Sequence, residues 1–212
     1  MNYLMKAAML AVAAGLAGCN GSTNTDPAPT SSVPALGEGA LQGYANGDTV
    51  SGASIYTNKD GKGFVLLSAD GDGAATVMHV VDGSKGRRVP VSANGMVTLT
   101  YDRTQAMALN ALTSANAAGS YQALVGGKPA LFTVAADGAI SAGGSDCKLS
   151  GKVDFSATYG GAVALTLTAS GCGGSVEGSY KGLVLASADT APATLQLVGE
   201  NGTAVLDVLA YR

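Results

Sequence analysis

The chain has 212 residues with 31 glycines, 13% charged residues, one histidine and no tryptophan. This composition is typical of short strands and tight turns, and it predicts an all-β protein rather than a helical bundle. The net charge of -3 provides no excess of basic residues for a polyanion, so we expect no nucleic-acid partner.

Residues 1–18 have the organisation of a signal peptide. One lysine, Lys6, precedes an apolar run over residues 7–16, which is followed by the small residues Ala and Gly. The run is shorter than the roughly 20 apolar residues of a membrane-spanning helix, so it predicts a cleaved export signal. The sequence LAGC at residues 16–19 resembles the lipobox of bacterial lipoproteins, whose cysteine, here Cys19, is lipidated and becomes the mature N-terminus.

This resemblance implies that the membrane is a partner through the lipid anchor on Cys19. Asn20 follows the cysteine, whereas lipoproteins retained at the inner membrane usually have aspartate there, so we expect the outer membrane. Whether the body faces the periplasm or the exterior is left open. Residues 19–38 are polar and contain three prolines, and they predict a disordered linker between the lipidated cysteine and the folded body.

Residues 39–103 alternate strand-like runs with Asn-Gly and Asp-Gly pairs, which favour two-residue hairpin turns. They predict an N-terminal β half, a meander of short antiparallel strands. Residues 104–117 interrupt this pattern because they lack glycine and proline and are rich in alanine and leucine. Apolar residues at helical spacing behind Thr104, a candidate cap, predict a short helical connector.

Residues 118–212 contain eight strand-like runs, the number found in a small closed barrel or sandwich. The runs cover residues 120–125, 130–135, 139–142, 147–155, 162–170, 175–186, 193–198 and 203–211. A weak internal sequence similarity between Gly43-Tyr44 and Gly119-Ser120-Tyr121 suggests two related halves. The sequence therefore predicts two tandem antiparallel meanders that form barrel- or sandwich-like halves.

Cys147 and Cys172 form an even pair in an exported chain, which predicts a disulfide, with two reduced buried cysteines as the alternative. Cys147 lies on the apolar, odd-numbered face of its strand, but Cys172 lies on the even-numbered face of the returning strand. Directly opposed residues share a face, so a regular ladder cannot join these sulfurs. We expect a bulge or a strand end at residues 171–174 to turn Cys172 inward and produce a structural crosslink.

Several segments carry a further resemblance. The sequences GSDCKLSGKV, ALTLTASGCGG and EGSYKGLVL, preceded by TYDRTQAMALNALTSANAAGSYQAL, resemble a group of small, mostly uncharacterised lipoproteins of Gram-negative bacteria. The resemblance covers roughly residues 40–212 and implies a β-barrel-like body and an envelope location. It carries no catalytic residue over to this chain.

The sequence offers few residues for chemistry. His79 is the single histidine, so no His-based metal cluster or ordinary Ser-His-Asp triad is expected, and we predict a structural role for it. No catalytic residue, metal or cofactor is expected. Asn58, Asp60, Asp70 and Asp72 would hold calcium if their loops met, but ordinary Asp-Gly turns are the favoured interpretation.

Five basic residues are concentrated in the first half. They would allow contact with anionic lipid head groups, although a solvated face is the favoured interpretation. They are Lys59, Lys62, Lys85, Arg87 and Arg88.

Together these features predict a membrane-anchored, non-enzymatic binding or envelope-interaction module with an unidentified partner. Two alternatives are a calycin-like carrier of a small apolar ligand in the barrel interior, and a periplasmic inhibitor of an enzyme or toxin. A barrel interior filled by Leu, Val and Phe side chains would count against the carrier.

Overall fold

A computed structural model describes residues 30–47, 49–68, 73–91 and 97–212, with Arg103 described by its backbone alone. The predicted signal peptide, Cys19 and most of the predicted linker lie outside these residues. The described part contains fifteen β-strands, one four-residue α-helix and two short 3-10 turns. The prediction of an all-β protein with two β bodies joined by a short helical segment is confirmed.

The first seven strands form one antiparallel sheet with the order β1-β6-β5-β4-β3-β2-β7. The sheet curls, so that Ser32 in β1 makes a parallel bridge to Thr98, just before β7, and we call this body the half-barrel. Its strands are β1 Thr30–Ser32, β2 Gly39–Asn46, β3 Val50–Thr57, β4 Lys62–Ser68, β5 Val77–Asp82, β6 Lys85–Val89 and β7 Thr100–Ala106.

The last eight strands form a closed barrel in which each strand pairs with its neighbours in sequence and β15 returns to β8. All eight predicted runs correspond to strands. They are β8 Gly119–Val125, β9 Lys128–Val134, β10 Ala139–Ala142, β11 Lys148–Tyr159, β12 Ala162–Ser170, β13 Gly178–Leu185, β14 Leu195–Glu200 and β15 Val205–Tyr211. Closure leaves the barrel without a free sheet edge.

The helix between the two bodies, α1 (Ser114–Ala117), is shorter than the spacing predicts and begins ten residues later. Thr104 is not its cap, because it belongs to β7, whose residues 105 and 106 pair with β2. Thr113 is the cap instead: its backbone N donates to Asn116 Oδ1 at 2.8 Å, and Asn116 N donates to Thr113 Oγ1 at 3.4 Å. Sheet hydrogen bonds prevail over a helix that would be marginal in isolation.

Within the described part of the chain, no helix has the length and hydropathy required to cross a membrane.

Three separate cores stabilise the molecule. The barrel interior forms the largest core and the half-barrel interior a second. The third lies where the outer face of the half-barrel packs against the outer face of the barrel, with Tyr56, Leu66 and Met78 on one side and Leu183 and Leu185 on the other. Strands β4 and β13 therefore bury both faces, which explains their continuous apolar runs in place of strict alternation.

An ion pair and an aromatic contact also join the two bodies. Arg87 of the half-barrel makes an ion pair with Glu200 of the barrel at 2.6 Å, and the Glu200 side chain is 9% exposed. The rings of Phe64 and Tyr159 meet edge to face with centroids 5.5 Å apart. These contacts and the apolar packing join the half-barrel to the barrel over one face of each.

Candidate functional site: a cleft between the half-barrel and the barrel

The sequence-predicted cysteine pair forms a disulfide at one end of the barrel, with the two Cα atoms 4.3 Å apart. The last regular pair between β11 and β12 joins Lys148 to Ser170, so both cysteines lie just beyond the ladder. Gly171 has a φ of +69°, a left-handed conformation that turns the next residue, Cys172, towards the interior. Both cysteines are fully buried, as expected for a structural crosslink.

The four residues weighed as calcium ligands, for which ordinary turns are the favoured interpretation, are only partly described, since Asp70 and Asp72 lie outside the described residues. Asn58 Oδ1 accepts hydrogen bonds from the backbone N of Asp60 at 3.0 Å and of Lys62 at 2.9 Å, which is an ordinary Asx turn. Among the described residues no group of three His, Cys, Asp or Glu side chains is arranged to hold a metal ion.

The five basic residues of the first half do not form one surface. Lys59 pairs with Asp60 at 2.7 Å, Lys62 approaches Asp82 at 3.9 Å, and Arg87 pairs with Glu200. Arg88 lies opposite His79 in the β5–β6 ladder, on the inner side of the curled sheet.

Side chains fill the barrel interior. Large buried residues from several strands meet there, including Phe132, Leu149, Leu167, Tyr180 and Leu195, all at most 2% exposed. An apolar ligand in the lumen would have to displace this core, at a cost of several kcal/mol for each large side chain removed from its packing.

A large cleft instead lies outside the barrel, between its outer face and the outer face of the half-barrel. This cleft has a volume of about 870 Å³. The half-barrel contributes residues of β2, β3 and β4, and the barrel contributes residues of β13, β14 and β15 together with the turn over residues 187–192. Its lining includes Gln42, Ser54, Tyr56, Leu66, Ser68, Ala75, Met107, Leu185, Ser187, Asp189, Thr190, Gln196, Asp207, Leu209 and Tyr211.

Asp207 is the polar centre of the cleft and joins its two walls. Oδ2 accepts a hydrogen bond from the backbone N of Ala75 in the half-barrel at 2.8 Å, and Oδ1 accepts one from Gln196 Nε2 at 2.8 Å. Burial raises the pKa of the Asp207 carboxyl, while these two hydrogen bonds oppose the rise. Asp207 therefore places hydrogen-bond acceptor oxygens, held from both walls, at the floor of the cleft.

Two further groups define the polarity of the cleft. Burial raises the pKa of Tyr56 to about 12, so its phenol stays neutral and can donate or accept hydrogen bonds. Asp189 lies in the 3-10 turn Ala188–Thr190, where its Oδ2 accepts from Ser187 Oγ at 3.2 Å. No lysine, arginine or histidine lines this cleft in the described part of the chain. The surface is therefore suited to a ligand that donates hydrogen bonds and also buries apolar atoms.

Sequence reasoning did not find this site. Its residues come from positions 42 to 211, and each one is an ordinary polar or apolar residue of a strand or turn. The one visible indication is the apolar run in β13, GLVL, whose second buried face requires a partner surface.

Comparison of the chain with protein-family models, with curated proteins and with solved structures found no match.

Proposed function

We propose that this chain is a lipid-anchored protein of the bacterial outer membrane that acts as a non-enzymatic binding module, with the cleft between half-barrel and barrel as its binding site. The lipobox-like LAGC and the polar segment over residues 19–38 support the anchor and the linker. The cleft is the observation that carries the proposal, since it offers about 870 Å³ of concave surface lined by both bodies.

The cleft combines features that recur in binding sites. Ligand sites are concave, largely preformed and lined by apolar walls with a few polar groups that orient the ligand. Here Met107 and Leu209 provide apolar surface, and Tyr56, Asp207 and Gln196 provide polar groups. The packed barrel interior makes the cleft, rather than the lumen, the better place for a ligand or for a partner's side chains.

Blocking the cleft is expected to abolish capture of the partner. Leu209 lines the cleft and is 37% exposed, so Leu209→Arg puts a long charged side chain into it without removing a core residue. We expect this variant to lose the envelope component that the wild-type protein recovers in a crosslinking pull-down analysed by mass spectrometry.

Leu124→Arg is the matched control. Leu124 is 69% exposed on the outer face of β8 and does not line the cleft, so this variant makes the same chemical change elsewhere on the barrel. The control should recover the same component as the wild-type protein. Equal recovery by Leu209→Arg would show that the cleft is not the binding site.

The lipid anchor is tested separately. Cys19→Ala removes the thiol that would carry the lipid, so the variant should take up no radioactive palmitate and should stay as an unprocessed precursor on gels. Cys147→Ala/Cys172→Ala, which retains Cys19, should label like the wild-type protein. Palmitate labelling of Cys19→Ala would contradict the assignment of the anchor.

A further inference from the structure

In the described part of the chain, the half-barrel interior contains buried polar atoms without a hydrogen-bond partner. His79 lies on β5 and is fully buried, and neither Nδ1 nor Nε2 has a hydrogen-bond partner among the described residues. Tyr101 Oη, in the same interior, is also without one in the described part of the chain. Buried polar groups are nearly always hydrogen-bonded, and leaving one without a partner is costly, so this arrangement points to a group that is not part of the protein.

His79 lies at a small cavity that opens at one end of the half-barrel. The cavity has a volume of about 150 Å³, which is room for several water molecules or one small ion. Besides His79, its wall includes the hydroxyl-bearing residues Thr49, Ser51 and Thr76 and the apolar residues Leu67, Val77, Val97 and Leu99.

Arg88 gives this cavity its charge. It lines the same cavity and pairs with His79 across the β5–β6 ladder, so the two side chains lie side by side on the inner face of the sheet, and its Nη1 donates to the carbonyl of Pro90 at 2.6 Å. A guanidinium carries five N–H donors, so one such bond leaves further donors for a ligand. Among the described residues that line the cavity, none carries a carboxylate. The complementary ligand is therefore negatively charged.

We propose that this cavity binds a small oxyanion, a carboxylate or a phosphate, between the imidazole of His79 and the guanidinium of Arg88. The anion accepts hydrogen bonds from the Arg88 guanidinium, and hydroxyls of the wall complete its shell. Both ring nitrogens of His79 are closed to solvent, so a ring N–H reaches the anion after a small shift of the ring or of its neighbours. Arginine forms paired hydrogen bonds with both carboxylate and phosphate, and such charge-assisted bonds are the strong ones. Burial and the nearby Arg88 hold the pKa of His79 low, at about 4, in the anion-free protein, and a bound anion offsets both effects.

The oxyanion site is independent of the proposed binding cleft. The two share no lining residue and lie on opposite faces of the same sheet, with Leu66 facing the cleft and Leu67 facing the cavity. Loss of one function therefore leaves the other measurable.

The single histidine makes the test specific, because every imidazole signal in an NMR spectrum of the purified full chain comes from His79. Inorganic phosphate and acetate are titrated in separate experiments, with chloride at equal ionic strength as the reference. We expect a saturable shift of the His79 ring signals with phosphate or with acetate and none with chloride. The two titrations distinguish a phosphate site from a carboxylate site.

Arg88→Gln should weaken this binding at least about tenfold, the loss expected when a charged hydrogen bond is removed. Lys85→Gln is the matched control, since it removes one positive charge from the same strand without touching the cavity, and it should bind like the wild-type protein. Isothermal titration calorimetry gives a second readout that does not depend on the ring signals.

Two results would overturn the proposal. Absence of any saturable shift with phosphate and acetate in the wild-type protein would mean that the cavity holds water only. Equal weakening by Arg88→Gln and Lys85→Gln would mean that the anion responds to net charge and not to this site.

Discussion

Replacing the Cys147–Cys172 disulfide with two alanines should lower the stability of the protein by about 3 kcal/mol, the largest effect that we expect from any change at a site predicted from the sequence. The bond closes a loop with a sequence separation of 25 between β11 and β12. In the chain-entropy account, opening this loop gives the unfolded chain back conformations that the crosslink forbids. The native barrel should keep its fold because its ladders do not include the two cysteines and most of its core is formed by other residues.

Thermal unfolding followed by far-ultraviolet circular dichroism measures this effect, and the absence of tryptophan makes it preferable to tryptophan fluorescence. A loss of this size should lower the melting temperature of Cys147→Ala/Cys172→Ala by about 6–12 °C. Wild-type protein reduced under denaturing conditions should melt close to the double variant, and the double variant should not respond to reductant. Identical melting of oxidised wild type and double variant would show that the crosslink contributes no stability.

His79→Leu should make the protein less sensitive to acid. Burial, with a smaller contribution from Arg88, lowers the pKa of His79 from 6.5 to about 4. The unfolded chain therefore takes up a proton on histidine as the pH falls below 6.5, whereas the folded chain resists until about pH 4. The wild-type protein loses stability across this interval, and the leucine variant lacks this loss.

The size of this loss of stability follows from the difference between the pKa of His79 in the unfolded and in the folded chain. Between pH 7 and pH 5 the wild-type protein should lose about 2 kcal/mol more stability than His79→Leu, rising to about 3 kcal/mol near pH 4. Urea unfolding at each pH measures the difference, in amine buffers with chloride as the added anion. Asp207, whose pKa is raised by burial, acts in the opposite direction, but it is present in both proteins and cancels in the comparison. Parallel pH profiles for the two proteins would contradict the low pKa of His79.

The sequence predicted the barrel well because its determinants are local. Turns that contain glycine separate most of the strands, and alternation in β8, β9 and β12 marks the inner and outer faces, so eight strands could be counted in order. The phase mismatch between Cys147 and Cys172 likewise located the glycine turn that the structure has at Gly171. Each of these features requires information only from neighbouring residues or from one hairpin.

The helix over residues 104–117 shows where local reasoning fails. The spacing of Met107, Ala111 and Leu112 favours a helix, but residues 104–106 instead extend β7 along β2, more than fifty residues earlier in the chain. A strand gains hydrogen bonds from a partner that the local pattern does not reveal, and this gain exceeds a weak helical propensity.

The sequence by itself determined the all-β class, the order of the barrel strands and the disulfide. Turn-forming residue pairs and the alternation of apolar and polar residues can both be read directly from the sequence. Only the tertiary structure decided that the half-barrel packs outside the barrel, that the resulting cleft brings Gln42 and Tyr211 to one surface, and that His79 lies opposite Arg88 at a cavity. These arrangements depend on which apolar faces meet, a choice made by packing between residues far apart in sequence.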